Sequence, residues 1–404
     1  MAVRSRWTGY WWENNVRIAM IGQKGIPALH GGVERAVEEL AAVLVERGHE
    51  VTVFNRREQR GEQVRMHRGI RLVPVRATRG KYSGNLTQSL MGTLRCLGSR
   101  YDVVHFHAMG PCLLAPLARF GGRAAIVATI QGRDDQRAKW GFAAKVSLRA
   151  AAWTSARVPH EVIVVSEQLA DAYAEEFERA THHIPNGVTP VAVESGASDV
   201  LERFGLAGQK YILNVGRLVP EKAMDQAISA FRLVDTDARL VIVGGSSHTT
   251  TYVERLTELA AQDDRVILTG PVYGDDSRAL FASAAAYLMP SLLEGLPLAL
   301  LEASSCGMPL IVSDIQPHLE VVGADNIGRR VFATGDVEDM ARAIRQTLEE
   351  LPCSAGECRA FQQRVIQEYS WERIASLTED VYHQAVVRAA GGVRQPDSSL
   401  LSVE

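Results

Sequence analysis

Twice in this chain an apolar run ends in glycine and gives way to a loop and a helix: Val16-Arg-Ile-Ala-Met-Ile-Gly22 and Tyr211-Ile-Leu-Asn-Val-Gly216. Short apolar runs bounded by turn residues fit strands buried on both faces, which is how parallel sheets covered by helices read. After the first run, Val33, Ala36, Val37, Leu40, Ala41 and Leu44 recur at helical spacing as far as Gly48, and Glu50-Val-Thr-Val-Phe54 reads as the next strand. Strand, helix and strand in that order make a βαβ unit. Further buried strands are expected at 102–107, 124–130 and 162–166, and in the second half at 240–244, 266–268, 286–289 and 310–313.

A length of 404 residues is too great for one ordinary core and suits two. The pattern breaks near Pro185-Asn-Gly-Val188, so residues 16–188 read as the first domain. Residues 189–208, rich in small and polar types, read as a linker, and 209–368 as the second domain. The segment Ser370 to Tyr382 has helical patterning, and 369–388 is expected to be a C-terminal helix. Residues 1–15, despite Trp7, Trp11 and Trp12, show no periodicity and read with 389–404 as tails. The expected fold is α/β: two facing Rossmann-like, doubly wound parallel-sheet domains with a cleft between them. In such sheets ligands bind beyond the carboxyl ends of the strands.

Charge narrows the partners. Residues 1–190 hold 26 Lys and Arg against 17 Asp and Glu, while 191–404 hold 18 against 30. A basic first half favours an anionic partner, either a phosphorylated acceptor or an anionic membrane surface. The total is acidic and no binding motif is present, which argues against nucleic acid. No apolar run reaches membrane-spanning length. Five scattered cysteines point to a reducing cytosol, and Cys353 and Cys358 lack the neighbours a zinc site needs.

The stretch from Pro290 to Pro309 carries the most chemistry. Glu294 and Glu302 stand on either side of Gly295, Leu296, Pro297 and an apolar helical run. Pro297 suits a first helical turn, which puts Glu294 on the loop before the helix and Glu302 inside it. Backbone N–H groups at Gly295 and Leu296 are then expected to face a ligand. A carboxylate for hydroxyls and a helix end for anionic oxygens suit a sugar joined to a phosphate. A second group, Gly216-Arg217-Leu-Val-Pro-Glu-Lys222, follows a strand directly. Arg217 can fork onto two phosphate oxygens and Lys222 supplies a point charge.

In the first half, Gly25 to Glu34 contains Gly31 and Gly32, which permit close backbone approach at a helix start. Their spacing is not that of a dinucleotide fingerprint, and the second strand ends in Asn55 rather than an acidic residue, so NAD is set aside. His105 and His107 fall on one face of a strand, with Phe106 on the other. The segment Thr129 to Trp140 holds Asp134, Arg137 and Lys139, with Arg133 as a further basic group.

These motifs together resemble the family-four glycosyltransferases of the GT-B fold, closest to the bacterial polysaccharide and rhamnosyltransferase-like group. The match rests on Glu294-x7-Glu302 with its Pro-Ser and Gly-x-Pro flanks, on the Gly-Arg-Leu-x-x-x-Lys segment and on the glycine loop, and it covers about residues 16–388. The resemblance implies a retaining, metal-independent hexosyltransferase acting on a nucleotide-diphosphate sugar, with no further cofactor. Glu294, His107, Arg217 and Lys222 would be catalytic. Gly31, Gly32, Val272, Tyr273, Gly295, Leu296, Pro297 and Glu302 would complete the donor site, Glu302 on the ribose. Thr129, Asp134, Arg137 and Lys139 would hold the acceptor, although Gln131 and Asp135 stand where that group has His and Trp. The implied setting is cytoplasmic, peripheral at the inner face of the plasma membrane, with a lipid-linked glycan as acceptor. Inositol phosphate as a small acceptor, an epimerase or hydrolase on the same scaffold, and a non-catalytic nucleotide-sugar-binding relative are the alternatives.

Overall fold

The structure, a computed structural model, describes residues 15–28, 31–57, 64–78, 80–133, 142–191, 197–245, 250–323, 328–350 and 354–391. The expected tails lie outside them, apart from residue 15 and residues 389–391. The chain divides into two compact units. The first comprises residues up to Val165, Leu169–Ile184 and the chain from Ile374; the second comprises Ser166–Gln168 and Pro185–Arg373.

The first unit is built on strands β1 (Arg17–Ile21), β2 (Glu50–Arg56), β3 (Met66–His67), β4 (Ile70–Val75), β5 (Val103–His107), β6 (Ala125–Ile130), β7 (Glu161–Val164) and β8 (His182–His183). They lie in the order β3-β4-β2-β1-β5-β6-β7-β8. All neighbours are parallel except β3 with β4. Every residue of β5, β6 and β7 is buried, which is why these strands read as unbroken apolar runs. The helix Gly32–Glu46 buries Ala36, Val37, Leu40, Ala41 and Leu44, the face its spacing foretold.

The second unit holds β9 (Tyr211–Val215), β10 (Arg239–Val243), β11 (Val266–Gly270), β12 (Ala286–Met289), β13 (Leu310–Ser313) and β14 (Arg329–Phe332). The order is β11-β10-β9-β12-β13-β14, all parallel. In each sheet the order reverses beside the first strand, between β1 and β5 and between β9 and β12. The crevice beyond the carboxyl ends at such a reversal is where doubly wound sheets bind ligands.

Four strands had no sequence signal. Pro74 interrupts β4, Arg329 and Arg330 open β14, and β3 and β8 are two residues each. The segment 189–208 is not all linker: it contains the helix Ala197–Arg203, with Val200 and Leu206 buried and Arg203 paired to Asp276 at 2.5 Å. Cys358 is disulfide-bonded, a departure from the expectation of reduced cysteines, while Cys96, Cys112 and Cys306 are free.

The C-terminal helix, Trp371–Ala389, is anchored to the first unit by polar contacts. Glu379 accepts from Arg47 Nη2 at 2.6 Å, and its other oxygen lies 2.8 Å from His49 Nε2. Burial would raise this carboxyl, but His49 and Arg47 hold it down at about 2.

Candidate functional site

In the first unit the reversal point brings Gly22, at the end of β1, against His107, at the end of β5. Gly22 has φ of 123°, and a Cβ there would stand 2.1 Å from the His107 carbonyl oxygen, so only glycine fits. The loop that follows is held by side chains. Asn55 Oδ1 accepts from the Ile26 amide at 3.1 Å and Nδ2 donates to the Ile26 carbonyl at 2.6 Å. The residue at the place of a dinucleotide fingerprint's acid is thus a clamp on the loop. Glu34 accepts from the Lys24 amide at 3.1 Å and Glu38 from the Ala28 amide at 2.6 Å. Gly31 caps the helix Gly32–Glu46 with φ of 99°, where a Cβ would meet Glu34 Oε2 at 2.1 Å.

His105 and His107 lie on one face of β5, their ring centroids 4.0 Å apart. His105 is satisfied at both nitrogens: Nδ1 lies 2.8 Å from Tyr382 Oη and Nε2 lies 2.7 Å from Thr129 Oγ1. His107 is 2% exposed, and its Nε2 meets no partner among the described residues. Burial pushes His107 down to about 3 and His105 well below the ordinary value of 6.5, the latter helped by its neighbour. Both rings are therefore neutral at working pH. Thr129, expected at the acceptor, has its hydroxyl against His105. Arg133, the further basic group of this segment, is buried, paired with Glu176 at 2.7 Å and lies over the Phe177 ring. Asp134, Asp135, Arg137 and Lys139 lie outside the described residues.

In the second unit the loop after β9 carries exposed Arg217, then a short turn Pro220–Lys222. The loop after β12 carries Glu294. Lys222 Nζ and Ser291 Oγ both donate to Glu294 Oε1, the serine at 2.7 Å. The pair is largely shielded, 16% exposed at Lys222 and 11% at Glu294. Burial alone would raise the Glu294 carboxyl, but Lys222, His318 and Ser291 outweigh it and hold it below its ordinary value. It is a carboxylate at neutral pH.

The helix starts later than expected. It spans Leu298–Ser305, and Pro297 is its N-cap with φ −80° and ψ 115°, not a first-turn residue. Leu300 and Leu301 N–H already donate to the Pro297 carbonyl, so the open first-turn amides belong to Leu298 and Ala299. Gly295 and Leu296 lie in the preceding loop, whose Leu296 carbonyl accepts from Asn186 Nδ2 at 3.2 Å. Glu302 is inside the helix and 8% exposed. Burial and then the Glu302 charge push the neighbouring Cys306 thiol up to about 12. Val272 and Tyr273 precede the helix Gly274–Ser283, with Tyr273 52% exposed as its N-cap.

Ser291, Ser313 and His318 were missed as a group. Only the Pro-Ser flank of the acidic motif pointed at any of them. Among the described residues no group of three or more His, Cys, Asp or Glu could hold a metal ion, and no helix is long and apolar enough to cross a membrane.

Two family models match the chain: Glycosyltransferase Family 4 over residues 30–191 and Glycosyl transferases group 1 over residues 202–367. A GDP-mannose-dependent alpha-(1-6)-phosphatidylinositol monomannoside mannosyltransferase of Mycolicibacterium smegmatis is 28% identical, over 87% of this chain and 95% of that one. Among solved structures, sucrose-phosphate synthase from Thermosynechococcus elongatus superposes with a TM-score of 0.79 at 21% identity, covering 93% and 100%. Anabaena HepE in complex with UDP-glucose superposes with a TM-score of 0.74 at 19% identity, covering 91% and 99%.

Proposed function

The chain belongs to glycosyltransferase family 4, with the GT-B fold, and is an enzyme that uses nucleotide sugars; on that premise we propose that it moves a hexose-type sugar, with retention at the anomeric carbon, onto an acceptor in cell-surface polysaccharide or glycoconjugate synthesis. The observation that carries the reading is the Lys222–Glu294 pair beyond β9 and β12, at the reversal point of the second sheet. The leaving group is a nucleoside diphosphate, so the protein must stabilise growing negative charge. Lys222 and Arg217 are the cations for that task. When a diphosphate draws Lys222, Glu294 is left to accept from sugar hydroxyls and to favour the cationic charge that develops at the anomeric carbon. Glu302 accepts from the ribose hydroxyls, and the loop from Gly295 to Pro297, with Val272 and Tyr273, lines the donor. In the first unit, His107 and the Gly31-Gly32 loop are assigned to sugar binding; a neutral His107 can accept a hydrogen bond from a hydroxyl at Nε2 without adding charge. The leaving phosphate oxygen takes the proton of the acceptor hydroxyl as the new glycosidic bond forms.

The acceptor is an anionic, lipid-linked glycan precursor, met at the inner membrane surface. Support comes from the basic first half and from the helix Phe142–Arg157. Val146 and Trp153, 53% and 56% exposed, share one face of it with exposed Arg149 and Arg157. Apolar and cationic groups on one helical face suit an anionic bilayer surface. Flotation with phosphatidylglycerol vesicles tests this, and Arg149→Glu with Arg157→Glu should abolish it.

The central test is a thermal-shift screen against UDP-, GDP-, dTDP- and ADP-sugars. Binding to the native state raises the melting point by mass action. A shift with one base establishes the donor, and the absence of any shift from folded protein counts against an active transferase.

A further inference from the structure

The hydrogen bonds that hold Glu294 do not stop at Ser291. Ser313 Oγ donates to the Ser291 carbonyl at 2.6 Å. His318, on the helix Gln316–Val322, places Nδ1 3.0 Å from Ser313 Oγ and 3.1 Å from the Ser313 carbonyl oxygen. Ser291 is 1% exposed, and Ser313 and His318 are 0% exposed.

The proton positions follow from these partners. A carbonyl oxygen only accepts, and Ser313 has already given its hydroxyl proton to Ser291, so Nδ1 of His318 is the donor. Accepting from Nδ1–H in turn leaves the Ser313 proton aimed at the Ser291 carbonyl rather than at another rotamer. The Ser291 backbone is thereby fixed where its own hydroxyl reaches Glu294 Oε1. The neutral ring carries a bare lone pair at Nε2, which meets no donor among the described residues. A buried acceptor without a partner is unfavourable and uncommon. A leucine would fill similar space without that penalty, so packing does not account for the residue. What the ring supplies and a leucine lacks is the directed Nδ1–H.

We propose that His318 is a positioning residue for Glu294, acting through Ser313 and Ser291 to set the rotamer of the carboxylate that faces the donor sugar. This rests on the donor-site reading of Glu294. Neutrality suits the role: burial lowers the ring to about 4, with Glu294 pulling it up and Lys222 pushing it down. At neutral pH the ring therefore orders the serines without competing with Lys222 for the carboxylate.

The test compares wild type, His318→Leu, His318→Asn and Glu294→Ala, with the nucleotide sugar selected by the thermal-shift screen as substrate and nucleoside diphosphate release as readout. His318→Leu is expected to lower kcat about 10- to 100-fold with donor KM within about threefold, because misplacing a reacting group by roughly 1 Å costs that much. His318→Asn, whose Nδ2–H can stand where Nδ1–H stands, should restore most of the rate. Wild-type kcat in folded His318→Leu beside an inactive Glu294→Ala overturns the proposal, as does an asparagine variant that folds yet restores nothing. Full turnover in Glu294→Ala overturns the donor-site reading instead. If the leucine variant does not fold, nitrogen NMR of the wild-type ring decides: the proton is expected on Nδ1, with the ring's titration moved by Glu294→Gln. A proton on Nε2 overturns the proposal.

Discussion

At the end of β5 two imidazoles lie 4.0 Å apart and stay neutral; beyond β9 and β12 a lysine and a glutamate meet as ions. The first pair is buried and the second largely shielded, yet desolvation decides only the first. His105 and His107 sit on a strand whose five residues are all buried, and among the described residues nothing charged compensates them. Lys222 and Glu294 sit on loops, and the lysine charge offsets the cost of desolvating the carboxylate. A neutral pair on a rigid strand suits a fixed surface. An ion pair on two loops can exchange one partner for a ligand. The contrast locates charge chemistry in the second unit and shape in the first.

The largest expected effect comes from breaking the ion pair. Glu294→Ala and Lys222→Ala should each lower transfer by about 100- to 1000-fold, the loss seen when a transition-state charge stabiliser is removed. They should differ in stability. Lys222→Ala leaves a carboxylate largely buried without its counter-charge, which costs up to about 3–5 kcal/mol in fully buried pairs and less here. Lys222→Met with Glu294→Gln should recover the melting temperature and not the turnover. Equal activity in any single variant and wild type would mean that the pair is only structural.

Acid sharpens the contrast. In the unfolded chain a histidine binds its proton below about 6.5. Native His107 does not until about 3, His160 until about 4, and His105 stays well below its ordinary value. Between those limits the unfolded state holds more protons, so stability falls as pH falls, by about 1.4 kcal/mol per unit per group. Among the described residues the second unit has one such group, His318, at about 4. Glu294 acts in the same direction but lower on the pH scale: its depressed carboxyl contributes stability that is fully present above its unfolded value and is lost as pH falls towards the folded one. Hydrogen exchange from pH 6.5 to 4.5 should therefore accelerate first in β5, β6 and β7. Earlier acceleration in β9 and β12 would reverse the assignment.

The same contrast marks what the amino-acid sequence disclosed. Central strands were legible because burial on both faces makes them apolar throughout. β4 and β14 were not, since Pro74 and the Arg329-Arg330 pair break the run, and pairing with neighbours sets their structure. Lys222 and the two glutamates were singled out by residue type and spacing, whereas His107 was singled out over His105 only by the family resemblance. Ser313 and His318 were not, because their link to Glu294 depends on β12 and β13 being neighbours in the sheet. The start of the helix after Glu294 was misplaced because proline suits an N-cap as well as a first turn, and only the carbonyl that accepts first distinguishes them.

A smaller effect is expected at Glu302. If its carboxylate accepts from ribose hydroxyls, Glu302→Ala removes charge-assisted hydrogen bonds worth roughly 1.5–3 kcal/mol. Solvent access to the site reduces that, and calorimetry with the nucleoside diphosphate should show affinity about tenfold weaker, the change that ~1.4 kcal/mol produces. The kcat at saturating donor should change less than in Glu294→Ala. Unchanged affinity would remove Glu302 from the ribose.

The smallest effect separates the two pairs. Tyr382 is 1% exposed on the C-terminal helix, and its hydroxyl is the partner of His105 Nδ1. Tyr382→Phe keeps the ring and its edge-on packing against His105 but leaves one buried ring nitrogen without a partner. The expected cost is about 1 kcal/mol, the low end for a buried polar group left unpaired. It should appear as a lower urea midpoint at unchanged slope, since the surface exposed on unfolding is the same. Nucleotide affinity should not move, because Lys222, Arg217 and Glu302 are untouched. A parallel loss of affinity and stability would mean that the neutral histidine pair and the ion pair act as one unit, and the contrast between them would fail.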